Sequence, residues 1–288
     1  MGELRDRVIK QLNDRREKVL AGKVNVIPSP FKRFRNDFLG IEQGRFYLIT
    51  GGPKSAKTQI ATFLFINSVL FYAYRNPDKV RVKIFYYPLE ESKEDIFIRF
   101  LCHCLYVGSD LEVNPNALKS TINNQPIDKS ILDLLEHDER YRKIEEFFEE
   151  SVIFSDSMNP TGVYNECRDY AESHGTVHKK EITIKDSFGF DKKVNAFDWY
   201  EPDDMDEYRI IFFDHASLIH TERKMELKES IDKLSEYCVE LRNRYNFTPV
   251  IIQQQSASSE SLEAFKENKL RPSIANTADS KYPARDWP

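Results

Sequence analysis

Apolar positions change their period several times along the chain, and the changes mark out its elements. Near the N-terminus Val8, Ile9, Leu12, Val19 and Leu20 share one rough face of a helix predicted over 3–21, with Gly22 as its stop. Residues 24–38 contain Ile27-Pro28-Ser29-Pro30 and read as a connector. Beyond it, short apolar runs alternate with amphipathic stretches. Runs at 46–49, 80–87, 151–154, 208–214 and 249–252 predict strands. The run Ile210-Ile211-Phe212-Phe213 is unbroken, as in a strand buried on both faces of a parallel sheet. Helices are predicted after residue 58 and over 93–106, 161–174 and 225–245, and residues 131–150 form one charged amphipathic run. Residues 177–185 and 193–200 alternate with period two around Phe188-Gly189-Phe190-Asp191. That pattern predicts a β-hairpin projecting from the core over 176–200. The tail from 256 to 288 is polar and irregular. Strand–helix alternation of this kind belongs to the α/β class, whose ligands sit at the carboxyl ends of the strands.

Composition narrows the picture. A chain of 288 residues that is 40% hydrophobic and 31% charged buries a full core. The longest apolar stretch, 61–74, is interrupted by Asn67 and Ser68 and reads as a buried helix, not a membrane span. The first residues lack the apolar core of a signal peptide. Cys102, Cys104, Cys167 and Cys238 make no zinc or disulfide framework, and Cys102-His103-Cys104 reads as part of a buried helix. A reduced, cytoplasmic protein is expected. The net charge of −5 does not advertise nucleic acid, yet the first 35 residues hold ten Lys/Arg against four acids.

The chemistry concentrates where strands end. Phe46-Tyr47-Leu48-Ile49 runs into Gly51-Gly52-Pro53-Lys54-Ser55-Ala56-Lys57-Thr58, and Gln59 begins the amphipathic stretch that follows. Strand, tight loop, Lys-Thr and helix is the layout of a phosphate-binding loop. The free N–H groups of a helix N-terminus bind anions. A lysine at that point reaches the β- and γ-phosphates of ATP, and a threonine hydroxyl holds Mg²⁺. Ala56 stands where the pattern asks for its second glycine. Asp214 closes an apolar strand, where a carboxylate holds the Mg²⁺ shell. Glu90, with Glu91 as second candidate, ends the 80–87 strand, where a carboxylate orients the attacking water. Gln254 follows the last strand, where an uncharged amide senses the γ-phosphate.

Taken in order, Gly40-Ile41-Glu42-Gln43-Gly44-Arg45, the loop ending Ala56-Lys57-Thr58, Tyr87-Pro88-Leu89-Glu90, Phe212-Phe213-Asp214-His215 and Ile252-Gln253-Gln254 resemble the RecA-type ATPase core of DnaB-type (superfamily 4) replicative helicases. The likeness covers about 35–285 and is dense only in these blocks. It implies a RecA-like P-loop NTPase fold with a parallel sheet flanked by helices and an inserted hairpin. It implies Lys57, Glu90 and Gln254 as catalytic groups, Gly51 to Gln59 around ATP, and Thr58 and Asp214 on Mg²⁺. It implies single-stranded DNA as partner and a homo-oligomeric ring, a hexamer at full length. Lys269-Leu270-Arg271-Pro272 resembles that family's strand-binding loop, which makes Lys266, Lys269 and Arg271 candidate DNA contacts. Residues 1–34 would then be a linker helix and connector, and 35–288 the ATPase domain. The family's basic finger would lie beyond Pro288, so the domain is expected to be truncated. Two rivals keep the fold. Glu90-Glu91-Ser92 also resembles KaiC-like and RadA-like regulatory or recombination ATPases, and Ala56 is compatible with a catalytically degenerate scaffold.

Overall fold

The computed structural model describes residues 2–34, 36–185, 188–255 and 280–283. Helix α1 (Gly2–Leu20) precedes two short strands, β1 (Val26–Pro28) and β2 (Gly40–Glu42), which pair antiparallel around the connector. The chain then enters β3 (Tyr47–Gly51) and turns into α2 (Lys57–Thr62), which runs through a π-helical turn at Phe63–Asn67 into α3 (Ser68–Arg75). β4 (Arg81–Pro88) leads to α4 (Lys93–Ser109), α5 (Pro115–Leu118), α6 (Lys129–His137) and α7 (Glu139–Ser151). β5 (Val152–Phe154) and α8 (Pro160–Ser173) come before the hairpin strands β6 (Gly175–Lys185) and β7 (Asp191–Pro202). β8 (Glu207–Asp214), α9 (Leu227–Tyr245) and β9 (Thr248–Gln254) follow.

Five strands lie side by side in the order β3-β9-β8-β4-β5, every neighbour parallel. The continuous apolar runs are explained by their two-sided burial. Alternate residues feed two separate cores: Ile84, Tyr86, Ile210, Phe212 and Ile252 meet α2–α3, α4 and α7 on one face. Phe85, Tyr87, Ile211, Phe213 and Ile251 meet α8 and α9 on the other. Helix starts are set by side-chain caps. Ser92 Oγ accepts from the Asp95 N–H at 3.1 Å, and Asn159 Oδ1 from the Gly162 N–H at 2.9 Å. The run 131–150 is two helices, not one. Asp138 leaves helical geometry and caps α7 by accepting from the Arg140 N–H. Cys102 and Cys104 are buried on α4, and among the described residues no helix is long and apolar enough to cross a membrane.

Because the sheet is parallel, its two ends differ. The carboxyl ends of β3, β4, β8 and β9 gather at one pole; the hairpin joins the other, where Pro202 leads into β8. Arg209 anchors that root. It is 3% exposed, donates to Glu207 Oε2 at 2.6 Å and to Tyr200 Oη at 2.7 Å, and lies over the rings of Tyr170 and Tyr200. Removing one member of a buried charge pair strands the other. Arg209→Ala is therefore expected to cost about 3 kcal/mol, read as a lower urea midpoint with an unchanged slope.

The N-terminal helix is held only toward its end. Arg15 pairs with Glu42 at 2.7 Å, and Lys18 and Lys23 both pair with Asp206, at 3.1 and 3.0 Å. These contacts tie α1 to the loop between β7 and β8.

Candidate functional site

Between β3 and α2 the chain folds back on itself. A Cβ at Gly51 would stand 2.6 Å from Ser55 Oγ and 3.1 Å from Lys57 Cγ, so only glycine permits the turn there. Lys54 and Ala56 both adopt left-handed backbone, with φ of 56° and 60°. Ala56, at φ 60° and ψ 25°, is the N-cap residue of α2. The glycine in the general loop pattern thus meets a backbone demand, and alanine, with the smallest side chain after glycine, meets the same demand under strain of about 1 kcal/mol. Part of that strain is offset by the lower unfolded-state entropy of alanine. Ala56→Gly is expected to stabilise the protein by about 0.5 kcal/mol, whereas the β-branched Ala56→Val should destabilise it by about 2 kcal/mol. Denaturant midpoints of the two variants give both signs in one experiment.

The loop and three further strand ends enclose a cleft of about 340 Å³ lined by Pro53 to Gln59, Glu90, Glu91, Arg99, Asp214, His215, Ile252 and Gln254. Gly51 and Gly52 form the turn behind it. Lys57 Nζ donates to the Gly52 carbonyl at 2.6 Å, which folds the ammonium over the loop. Thr58 Oγ1 donates to Asp214 Oδ1 at 3.0 Å, joining residues from α2 and β8. β9 lies between β3 and β8 in the sheet and brings Gln254 into the cleft between them.

Asp214 is 3% exposed. Burial raises its carboxyl above the ordinary range, the nearby Glu90 pushes the same way, and the Thr58 hydroxyl opposes both. Glu90 is different in character. Its side chain is 54% exposed and its carboxylate lies 3.9 Å from His215 Nε2. Glu91 forms an ion pair with Arg99 of α4, so the two consecutive glutamates point to different partners. The three glutamines at the end of β9 also separate. Gln253 is buried and donates to the Ser280 carbonyl; Gln255 is buried and donates to Thr50 Oγ1 at 3.4 Å. Gln254 alone of the three lines the cleft.

A hydroxyl and a carboxylate side by side are the oxygen donors a small hard cation takes. Magnesium commonly uses one or two protein ligands and completes its shell with phosphate oxygens and water. Thr58 and Asp214 fit that role. Among the described residues no group of three or more His, Cys, Asp and Glu could hold a metal on its own, so the fit is to a metal that arrives with phosphates. Arg99 and His215 line the cleft without having been singled out from sequence. Their signal was weak: Arg99 sits eight residues past Glu91 on an amphipathic helix, and His215 simply follows the strand-end aspartate. Lys266, Lys269 and Arg271, the candidate DNA contacts, lie outside the described residues.

No protein-family model matches this chain, and neither does any curated protein. Among solved structures it is similar to one of a DnaB-like replicative helicase described with its interactions with primase. The two share 12% sequence identity at a TM-score of 0.59, over 98% of this chain and 54% of that one. The chain spans about half the length of that helicase chain. The likeness is one of architecture, and the architecture is the RecA-like α/β fold in its helicase-type form.

Proposed function

We propose that the chain is the motor domain of a DNA helicase, binding and hydrolysing Mg²⁺-ATP between subunits of a homo-oligomeric ring to move along single-stranded DNA in replication. The observation that carries this reading is the convergence of Lys57, Thr58, Glu90, Asp214 and Gln254, from four strand ends, on one cleft. In it, Lys57 leaves the Gly52 carbonyl for the β- and γ-phosphate oxygens, a stronger partner because it is charged. Thr58 and Asp214 hold the metal, which neutralises charge on the bridging phosphate oxygens when bound. Glu90, exposed toward the open side of the cleft, orients or deprotonates the attacking water. Gln254 contacts the γ-phosphate and passes its presence along the chain to 256–281, where Lys266, Lys269 and Arg271 grip the DNA backbone. Such contacts are electrostatic and weaken steeply with salt. A six-membered ring in the cytoplasm is the expected form.

The test is steady-state ATP hydrolysis with and without single-stranded DNA in moderate salt. DNA-stimulated turnover, followed by unwinding of a forked duplex, supports the helicase motor. Turnover without unwinding favours a KaiC-like or RadA-like regulatory or recombination ATPase. Nucleotide binding without turnover favours a scaffold.

A further inference from the structure

The β6–β7 hairpin takes no part in the cleft. It roots at the start of β8, about 23 Å of strand away from Asp214. Its two faces are unlike. On one, the register sets Ile182 against Val194 and Ile184 against Lys192; past a bulge it sets His178 against Trp199, whose rings stack at 3.9 Å. Trp199 and Ile184 are 48% and 43% exposed. The opposite face is polar, with Lys193 paired to Glu181 at 2.7 Å. Val177, Phe197 and Tyr200 pack the root against the core. The strip from Trp199 to Ile184 belongs to neither core cluster. A two-stranded ribbon is marginal in water, and an amphipathic one is half of a two-layer packing.

The same chain carries the other half. On α1, Leu4, Val8 and Leu12 recur at four-residue spacing with Val19 on the same side, and Leu4 and Leu12 are 67% and 57% exposed. A helix that rests on its last turns alone gains little from packing, which is where most helix stability arises. From Leu4 to Val19 the apolar edge is about 22 Å long. The strip from His178 to Ile184 is about 20 Å. Both faces are exposed at once within one chain, so neither serves the other there; a second copy supplies the match.

We propose that the apolar strip of the β6–β7 hairpin receives α1 of a second copy of this chain. The proposal rests on the oligomeric reading above and names a surface through which copies join, at the pole opposite the cleft. The four native cysteines are all buried, so introduced thiols can be addressed alone. Leu12→Cys and Ile184→Cys proteins are to be mixed and treated with a short bismaleimide, while light scattering gives the mass of each sample. A cross-linked dimer in the mixture and in neither variant alone is the expected result. Alongside it, Ile184→Ser/Trp199→Ser should lower the oligomer mass. An oligomer without the mixed cross-link overturns the proposed surface and leaves assembly standing. A monomer at all concentrations overturns both. A fluorescent single strand whose binding is lost in the double variant, with oligomer mass unchanged, assigns the strip to nucleic acid and also overturns the proposal.

Discussion

Lys57→Ala is expected to remove ATP turnover, lowering it on the order of 10³-fold, the scale on which preorganised charge contacts act in a desolvated site. The ammonium is the cation nearest the turn of the loop, and its donation to the Gly52 carbonyl at 2.6 Å holds it there before any phosphate arrives. Alanine leaves the phosphate oxygens to backbone N–H groups alone. The fold should survive. A partly exposed hydrogen bond to one carbonyl contributes about 1 kcal/mol, so the nucleotide-free melting temperature should fall by only a few degrees. What should vanish is the rise in melting temperature on adding Mg²⁺-ATP, because ligand binding to the native state is what produces it. The two readouts separate chemistry from folding. A variant that keeps turnover within tenfold of the parent would remove Lys57 from the role given to it.

The strands and the loop were legible in the sequence for a physical reason. Two-sided burial demands unbroken apolar runs, and Tyr208 to Phe213 and Pro249 to Ile252 are buried along their length. The hairpin declared itself through period two, and its strands extend one or two residues past the predicted 176–200. What escaped notice is decided by tertiary contacts. The π-turn at Phe63–Asn67 leaves no local mark in an apolar helix. The β1–β2 pair lies across a stretch rich in proline, where composition argues for connector. The break at Asp138 reads as one more acid in a charged run until its side chain is seen to cap α7. At the cleft, sequence order named the strand ends but not the partition among neighbours. Glu90 faces His215 while Glu91 takes Arg99, because α4 starts between them and the ion pair partner comes from its third turn. The parity of β9 likewise separates Gln254 from Gln253 and Gln255, and parity needs the register with β3 to be fixed first.

Asp214→Asn should make the protein more stable and less active together. The carboxylate is buried with the Thr58 hydroxyl as its hydrogen-bond donor and Glu90 nearby, so its charged form is disfavoured and its pKa raised by desolvation. The sign follows from linkage. A carboxyl whose folded pKa exceeds its unfolded value binds its proton more tightly when folded. Stability is then highest at low pH and declines as pH rises from the unfolded pKa through the folded one. At neutral pH the parent bears that cost in full. Asparagine is neutral, nearly isosteric, and still accepts from Thr58 Oγ1. The nucleotide-free variant should therefore melt above the parent at pH 7, with the gap closing as pH falls through the elevated Asp214 pKa and the parent becomes neutral too. Turnover should fall about 10²- to 10³-fold, since a neutral amide is a poor ligand for a hard cation and the charge it would neutralise on the phosphates is left exposed. Stabilisation by Mg²⁺-ATP should shrink in parallel. Melting scans across pH, with and without Mg²⁺-ATP, test every part of this. Equal or lower stability of the variant at pH 7 would mean that the buried carboxylate is compensated in the folded protein, and its retention would then need no functional explanation. Higher stability with lost turnover would mark Asp214 as a charge kept against the interest of the fold, which is the signature of a residue retained for the metal it binds.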